Sequence, residues 1–122
     1  MMEKKKTLVL GASDNPARYS FMAIDRLRAH GHSVVAVGRK QTVVKDVMVE
    51  IEIKTTDDID TVTLYLNPDH QQSYYDEILS LQPRRIIFNP GTENPELQKL
   101  AESKGIEAVE ACTLVMLATN QY

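Results

Sequence analysis

The 122-residue chain has a single cysteine, Cys112, so no disulfide can form within it, and a reducing compartment suits it best. It has no basic excess either: 14 Lys and Arg stand against 17 Asp and Glu, a formal net charge of -3. That balance argues against general binding to nucleic acid or to a membrane surface, both of which need clustered cations. Long apolar runs are missing too. In the opening stretch MMEKKKTLVLGA a basic flank leads into only about six apolar residues, where a secretion signal needs about 7–15 and a membrane span about 20. A cytoplasmic protein without membrane contact is therefore expected. Repeats, linkers and low-complexity stretches are lacking, and the length suits one domain over residues 1–122.

What the chain does have is an alternation of two patterns. Thr7 to Leu10, Ser33 to Gly38 and Thr61 to Leu66 are short apolar or β-branched runs of the kind found in strands covered on both faces. Arg84 to Phe88 and Ile106 to Ala111 read as two more strands. Val47 to Ile53 alternates apolar and polar residues and has too little chain before it for a crossover helix, so a short strand near a sheet edge is expected. From about Ser20 to His30, Phe21, Ile24 and Leu27 recur at helical spacing, and Gly31 closes the helix. A second helix is expected over Asn67 to Leu81, with Asn67 as cap and Pro68 as first residue, and with Tyr74, Ile78 and Leu81 on one face. A third runs from the cap Asn94 and Pro95 to a stop at Gly105, and Cys112 to Thr119 reads as a short terminal helix. The alternation predicts an α/β, Rossmann-like, doubly wound and mostly parallel sheet of five or six strands, with helices on both faces.

Such sheets bind ligands outside the carboxyl ends of their strands, where strand order reverses. The residues due there are Gly11-Ala12-Ser13, Gly38-Arg39-Lys40, Asn67-Pro68-Asp69, Asn89-Pro90-Gly91 and Ala111-Cys112. Turns need glycine, asparagine and proline for their own geometry, so this clustering alone decides nothing. The first loop, in LVLGASDNPARYS, spends one glycine. Ser13 and Pro16 stand where the second and third glycines of a dinucleotide fingerprint would fall, which disfavours tight pyrophosphate packing of that kind. Gly11 still permits close backbone approach, the helix start offers free N–H groups to an anion, Ser13 adds a hydroxyl, and Arg18 in the same loop is a further candidate. After the second strand a nicotinamide site wants Asp or Glu for the ribose hydroxyls. Arg39 and Lys40 stand there instead. Unless they form a solvated basic turn, two cations in that place suit a ribose that carries a phosphate, as in NADP or in the 3′-phosphate of coenzyme A.

VLGASDNPARYS, LRAHGHSVVAV, IIFNPGTENPELQKLAESKGIEAV and the cysteine that follows span nearly the whole chain in order. With these stretches the chain resembles the small stand-alone CoA-binding proteins, whose domain is similar to the CoA-binding part of succinyl-CoA synthetase α subunits and of ADP-forming acyl-CoA synthetases. The resemblance implies a Rossmann-like fold and coenzyme A as ligand. By position it implies that Gly11, Ala12 and Ser13 face phosphate, Arg39 and Lys40 the adenosine end, and Asn89, Pro90 and Gly91 the pantetheine side, with Asn67 at the same edge. The chain departs from the family pattern in having Gly38-Arg39 where Asn-Pro is common, and FNPG where an aromatic residue and Gln-Pro-Gly are usual.

Chemistry is harder to place. His30 and His32 flank Gly31 at the opposite edge and are expected as exposed turn residues, while His70 begins a helix near the site. Asp57 and Asp58 fall in a loop before a strand, and no metal-ligand cluster stands out. Cys112 is the one candidate nucleophile, at a strand end and a helix start, but no histidine can be assigned as its base. The favoured function is non-catalytic binding of coenzyme A or an acyl-CoA, a small-molecule nucleotide ligand. An NADP-dependent oxidoreductase module and a protein-interaction subunit that has lost its ligand remain as alternatives. A receiver-like module would need an aspartate where Asn67 stands. A homo-oligomer or a partner enzyme subunit stays open.

Overall fold

Seven strands form one sheet in the order β3-β4-β2-β1-β5-β6-β7. The computed structural model describes residues 3–54 and 58–122, so Asp57 lies outside the described residues. The strands are β1 (Thr7–Ala12), β2 (Val34–Gly38), β3 (Thr42–Val44), β4 (Val47–Glu50), β5 (Thr61–Leu64), β6 (Arg85–Phe88) and β7 (Glu107–Glu110). All neighbouring pairs are parallel except β3 with β4. The helices are α1 (Tyr19–Ala29), α2 (Pro68–Gln71), α3 (Tyr75–Leu81), α4 (Pro95–Ser103) and α5 (Thr113–Ala118).

Strands buried on both faces need apolar side chains in both directions, and β1 meets that condition with Thr7, Leu8, Val9 and Leu10 all fully buried. Leu8 and Leu10 join Leu64, Ile86 and Phe88 against Ile78 of α3 and Leu97 of α4. Val9 and Ile87 turn to the other face, where Ile24 and Leu27 of α1 and Leu117 of α5 cover them. Helices thus lie on both faces of a Rossmann-like sheet, as expected. The turn at the end of α1 includes Gly31 at φ +84°. Asn94 accepts a hydrogen bond from the Leu97 amide and Asn67 one from the His70 amide, each with proline next in the helix.

Three local expectations need correction. The strand count is seven rather than five or six, because Thr42–Val44 folds back on β4 through a tight turn with Lys45 at φ +57°. That hairpin pairs Val43 with Met48, both exposed, so no buried run marked β3 in the sequence. The strand beginning at Val47 stops at Glu50 instead of reaching Ile53. The helix expected over Asn67–Leu81 is broken into α2, a 3-10 turn over Gln72–Tyr74, and α3. Gln71, buried, donates from its side chain to the carbonyls of Leu66 and Thr92, both at 2.8 Å. This ties the segment to neighbouring loops at the break.

Candidate ligand-binding site

Strand order reverses between β1 and β5, since the chain moves outward through β2 and β4 and then returns to β5 beside β1. A cleft of about 770 Å3 opens at the carboxyl ends of these strands. Its floor is made by the first loop. Gly11 takes φ +95°, and a Cβ there would lie 2.9 Å from the Tyr65 carbonyl carbon. A side chain at this position would push β1 away from the segment after β5. Gly38 is required for a different reason. The register between β1 and β2 shifts between Leu10 and Ala12, which brings the Ala12 carbonyl oxygen into the space a Gly38 Cβ would fill.

Beyond Gly11 the loop is held by its own polar side chains. Ser13 Oγ accepts from the Asn15 amide at 3.1 Å, and Asn15 Oδ1 accepts from the Ala17 amide at 2.9 Å. The helix that follows is not capped: Arg18 stands at the N-cap and offers no side-chain acceptor. The first amides of α1 therefore keep free donors and a positive dipole end, and Tyr19 and Ser20 line the cleft beside them.

Nine of the ten site residues singled out in the sequence line this one cleft: Gly11, Ala12, Ser13 and Arg18 from the first loop, Arg39 and Lys40 after β2, Asn67 after β5, and Pro90 and Gly91 after β6. The tenth, Asn89, is buried beneath them. Its side chain donates to Thr63 Oγ1 at 2.7 Å and to the Leu64 carbonyl at 2.8 Å, and accepts from the Thr113 amide at 2.9 Å. It braces the turn from below, tying β6 to β5 and to the start of α5.

The cations are not alike. Arg18 and Arg39 are exposed and make no side-chain hydrogen bond or ion pair among the described residues. Lys40 is engaged, with its Nζ 3.2 Å from Asp14 Oδ2, and Thr42 Oγ1 donates to the same oxygen at 2.8 Å. Hydrogen bonding from Thr42 and then from Lys40 holds the Asp14 carboxyl below its ordinary range.

Asp14, Thr42, Tyr65 and Thr92 are among the lining residues that the sequence did not mark as site candidates. Tyr65 is largely buried, which pushes its phenol pKa up, and among the described residues its hydroxyl has no hydrogen-bond partner with good geometry. Thr92 is fixed by donating to the Asn89 carbonyl at 2.7 Å. His70 lines the cleft from an exposed position. Cys112 stands at the N-cap position of α5 with no side-chain capping bond, half-buried, and does not line the cleft. His32 is corrected outright. It is fully buried rather than exposed, its Nδ1 accepting from the Lys5 amide at 2.9 Å. Among the described residues no group of three His, Cys, Asp or Glu side chains could hold a metal ion, and no helix is long and apolar enough to cross a membrane.

The family model described as a CoA binding domain matches residues 5–118, almost the whole chain. The chain belongs to the CoA-binding domain family. None of the curated proteins matches it. Among solved structures it is similar to an uncharacterized protein at 48% identity and TM-score 0.96, covering 99% of this chain and 100% of that one. A hypothetical protein from Pyrococcus horikoshii OT3 shares the fold at 24% identity and TM-score 0.87, over 95% of this chain and 83% of that one. The dinucleotide forming Acetyl-coenzyme A synthetase 1 of Ca. Korarchaeum cryptofilum shares it at 15% identity and TM-score 0.70. That match covers 88% of this chain and 26% of the synthetase. Family membership accords with the fold; which ligand the cleft takes is a question for its side chains.

Proposed function

We propose that this protein binds coenzyme A or an acyl-CoA in the cleft between the first loop and the turns after β2, β5 and β6, as a single domain without catalysis of its own. The observation that carries this is the convergence of the uncapped start of α1 with Arg18, Arg39 and Lys40 on one cleft of a CoA-binding family chain. An uncapped helix start suits a pyrophosphate, and arginine suits a terminal phosphate because its planar fork matches phosphate oxygens. An acidic residue after β2 would repel a ribose phosphate, and the chain has none between Gly38 and Thr42. Binding rather than turnover is favoured by the lining: His70 stands exposed with no hydrogen-bonded nucleophile among the described residues, and Cys112 does not line the cleft.

Calorimetry with coenzyme A, dephospho-CoA, NADP and NAD tests this. Coenzyme A is expected to bind tightest. Replacing Arg39 and Lys40 together with alanine is expected to weaken coenzyme A about tenfold or more, the value of a charge-assisted contact, and to leave dephospho-CoA nearly unchanged. Tighter binding of NADP than of coenzyme A would replace this function with a nicotinamide one. Release of free thiol from acetyl-CoA by the protein, faster than in buffer, would show that the domain is an enzyme after all.

A further inference from the structure

Asp14 is the one carboxylate among the residues that line the cleft. It sits in the first loop, yet it bonds to the far wall: Thr42 at the start of β3 donates to its Oδ2, and Lys40 just before it lies 3.2 Å away. One carboxylate oxygen therefore occupies two donors that face a cleft otherwise furnished for phosphate. Arg39, adjacent in the chain, and Arg18, in the same loop as Asp14, have no such partner among the described residues. Carboxylate and phosphate oxygens are the same kind of acceptor for an ammonium and a hydroxyl, so both cannot hold Lys40 and Thr42 fully at once.

We propose that Asp14 is a tethered competitor, an internal anion that holds Lys40 and Thr42 until a ligand phosphate displaces it, and so a residue that sets the affinity of the cleft for phosphate. The inference rests on the phosphate-binding role proposed above, and it changes the roles of the two cations after β2. Arg39 meets a phosphate without first losing a partner, whereas Lys40 contributes only the difference between two anions. Asp14 also faces the incoming phosphate as a like charge, and both effects oppose binding. The pair is solvent-accessible, with 69% of the Lys40 side chain and 35% of the Asp14 side chain exposed, so the competition is modest. Removing it is expected to be worth about two- to fivefold in affinity.

The test is a double-mutant cycle with Asp14→Asn, Lys40→Ala and their combination, titrated with coenzyme A and with inorganic pyrophosphate at low salt. Asp14→Asn keeps an acceptor for Thr42 and removes the charge; Asp14→Ser takes its place should that variant fail to fold, as judged by urea unfolding. The expected result is that Asp14→Asn tightens both ligands about two- to fivefold, and that most of the gain is lost when Lys40 is alanine, only the like-charge part remaining. Unchanged or weaker binding by Asp14→Asn overturns the inference, because Asp14 would then be surface or a ligand contact. A gain just as large without Lys40 overturns it too, since the charge would then act only as a general field. If coenzyme A binds none of the four proteins while pyrophosphate shows the expected cycle, the coenzyme A function falls and the role of Asp14 stands. If neither ligand binds any of them, both fall.

Discussion

The two ends of the sheet are built on opposite plans. At the amino end, Thr7, Thr61 and Arg85 open three strands and gather around Tyr122. The Tyr122 hydroxyl bonds to Thr7 Oγ1, the Arg85 guanidinium lies 4.3 Å from the center of the Tyr122 ring, and the His32 ring packs 4.9 Å away. Arg85 Nε donates to Thr61 Oγ1 at 2.8 Å. Tyr122 and His32 are both buried. At the carboxyl end the chain leaves the sheet through Gly11 and Gly38 into an open cleft, with Arg18 and Arg39 unpaired among the described residues. The difference follows from chain direction. β1, β5, β6 and β7 each run on to a helix start, so positive dipole ends collect at the carboxyl edge. That edge can serve a ligand, while the other is free to be closed with side chains for stability.

The largest test of this division is Tyr122→Ala. Loss of a buried aromatic ring is expected to cost about 3–5 kcal/mol of stability, read from urea unfolding. Ligand affinity of the folded fraction is expected to stay within twofold of wild type. A variant as stable as wild type would show that the amino end is not the closed end described.

A second test titrates the same end. Burial first, and then the positive charges of Lys4 and Lys5, lower the His32 pKa to about 4 from its ordinary 6.5. Between these values the unfolded chain takes up a proton that the folded chain refuses, so stability is fully present above about pH 6.5 and falls as the pH drops toward 4. The expected loss across that window is roughly 2–4 kcal/mol. Unfolding midpoints measured from pH 7.5 to 4 check it, with His32→Gln expected to flatten the curve. An equally steep fall in His32→Gln would assign it to the carboxylates.

The smallest expected effect of the three belongs to the ligand edge. Gly38→Ala places a methyl against the Ala12 carbonyl oxygen, and strain of about 1–3 kcal/mol is expected. Because the strained atoms belong to the first loop, ligand affinity should fall in the same variant, unlike in Tyr122→Ala. Crossing the two variants sharpens the contrast: the amino-end change should act on unfolding alone, and the carboxyl-end change on both measurements.

Much of this was legible in the sequence because the signals are local. The caps at Asn67 and Asn94, the stop at Gly105, the buried runs of β1 and β5, and the placing of loop residues at one edge each depend on a few neighbours in the chain. β3 was not legible, since its three residues pair with β4 through an exposed Val43–Met48 contact that has no hydrophobic period of its own. The break after Gln71 was hidden for a similar reason. Its hydrogen bond to Thr92 spans 21 positions, and a helical pattern carries no trace of it.

The sequence by itself determined the alternation of strands and helices, and with it the edge at which ligand-binding loops would meet, because helical and strand periods and turn residues are properties of short segments. Only the tertiary structure decided which of those loop residues face the cleft. It turned Asn89 inward as a brace, placed Asp14 against Lys40 and Thr42, and buried His32 under Tyr122. Each of these pairings joins residues more than twenty positions apart, and their partners are chosen by strand order and register, which no short segment encodes.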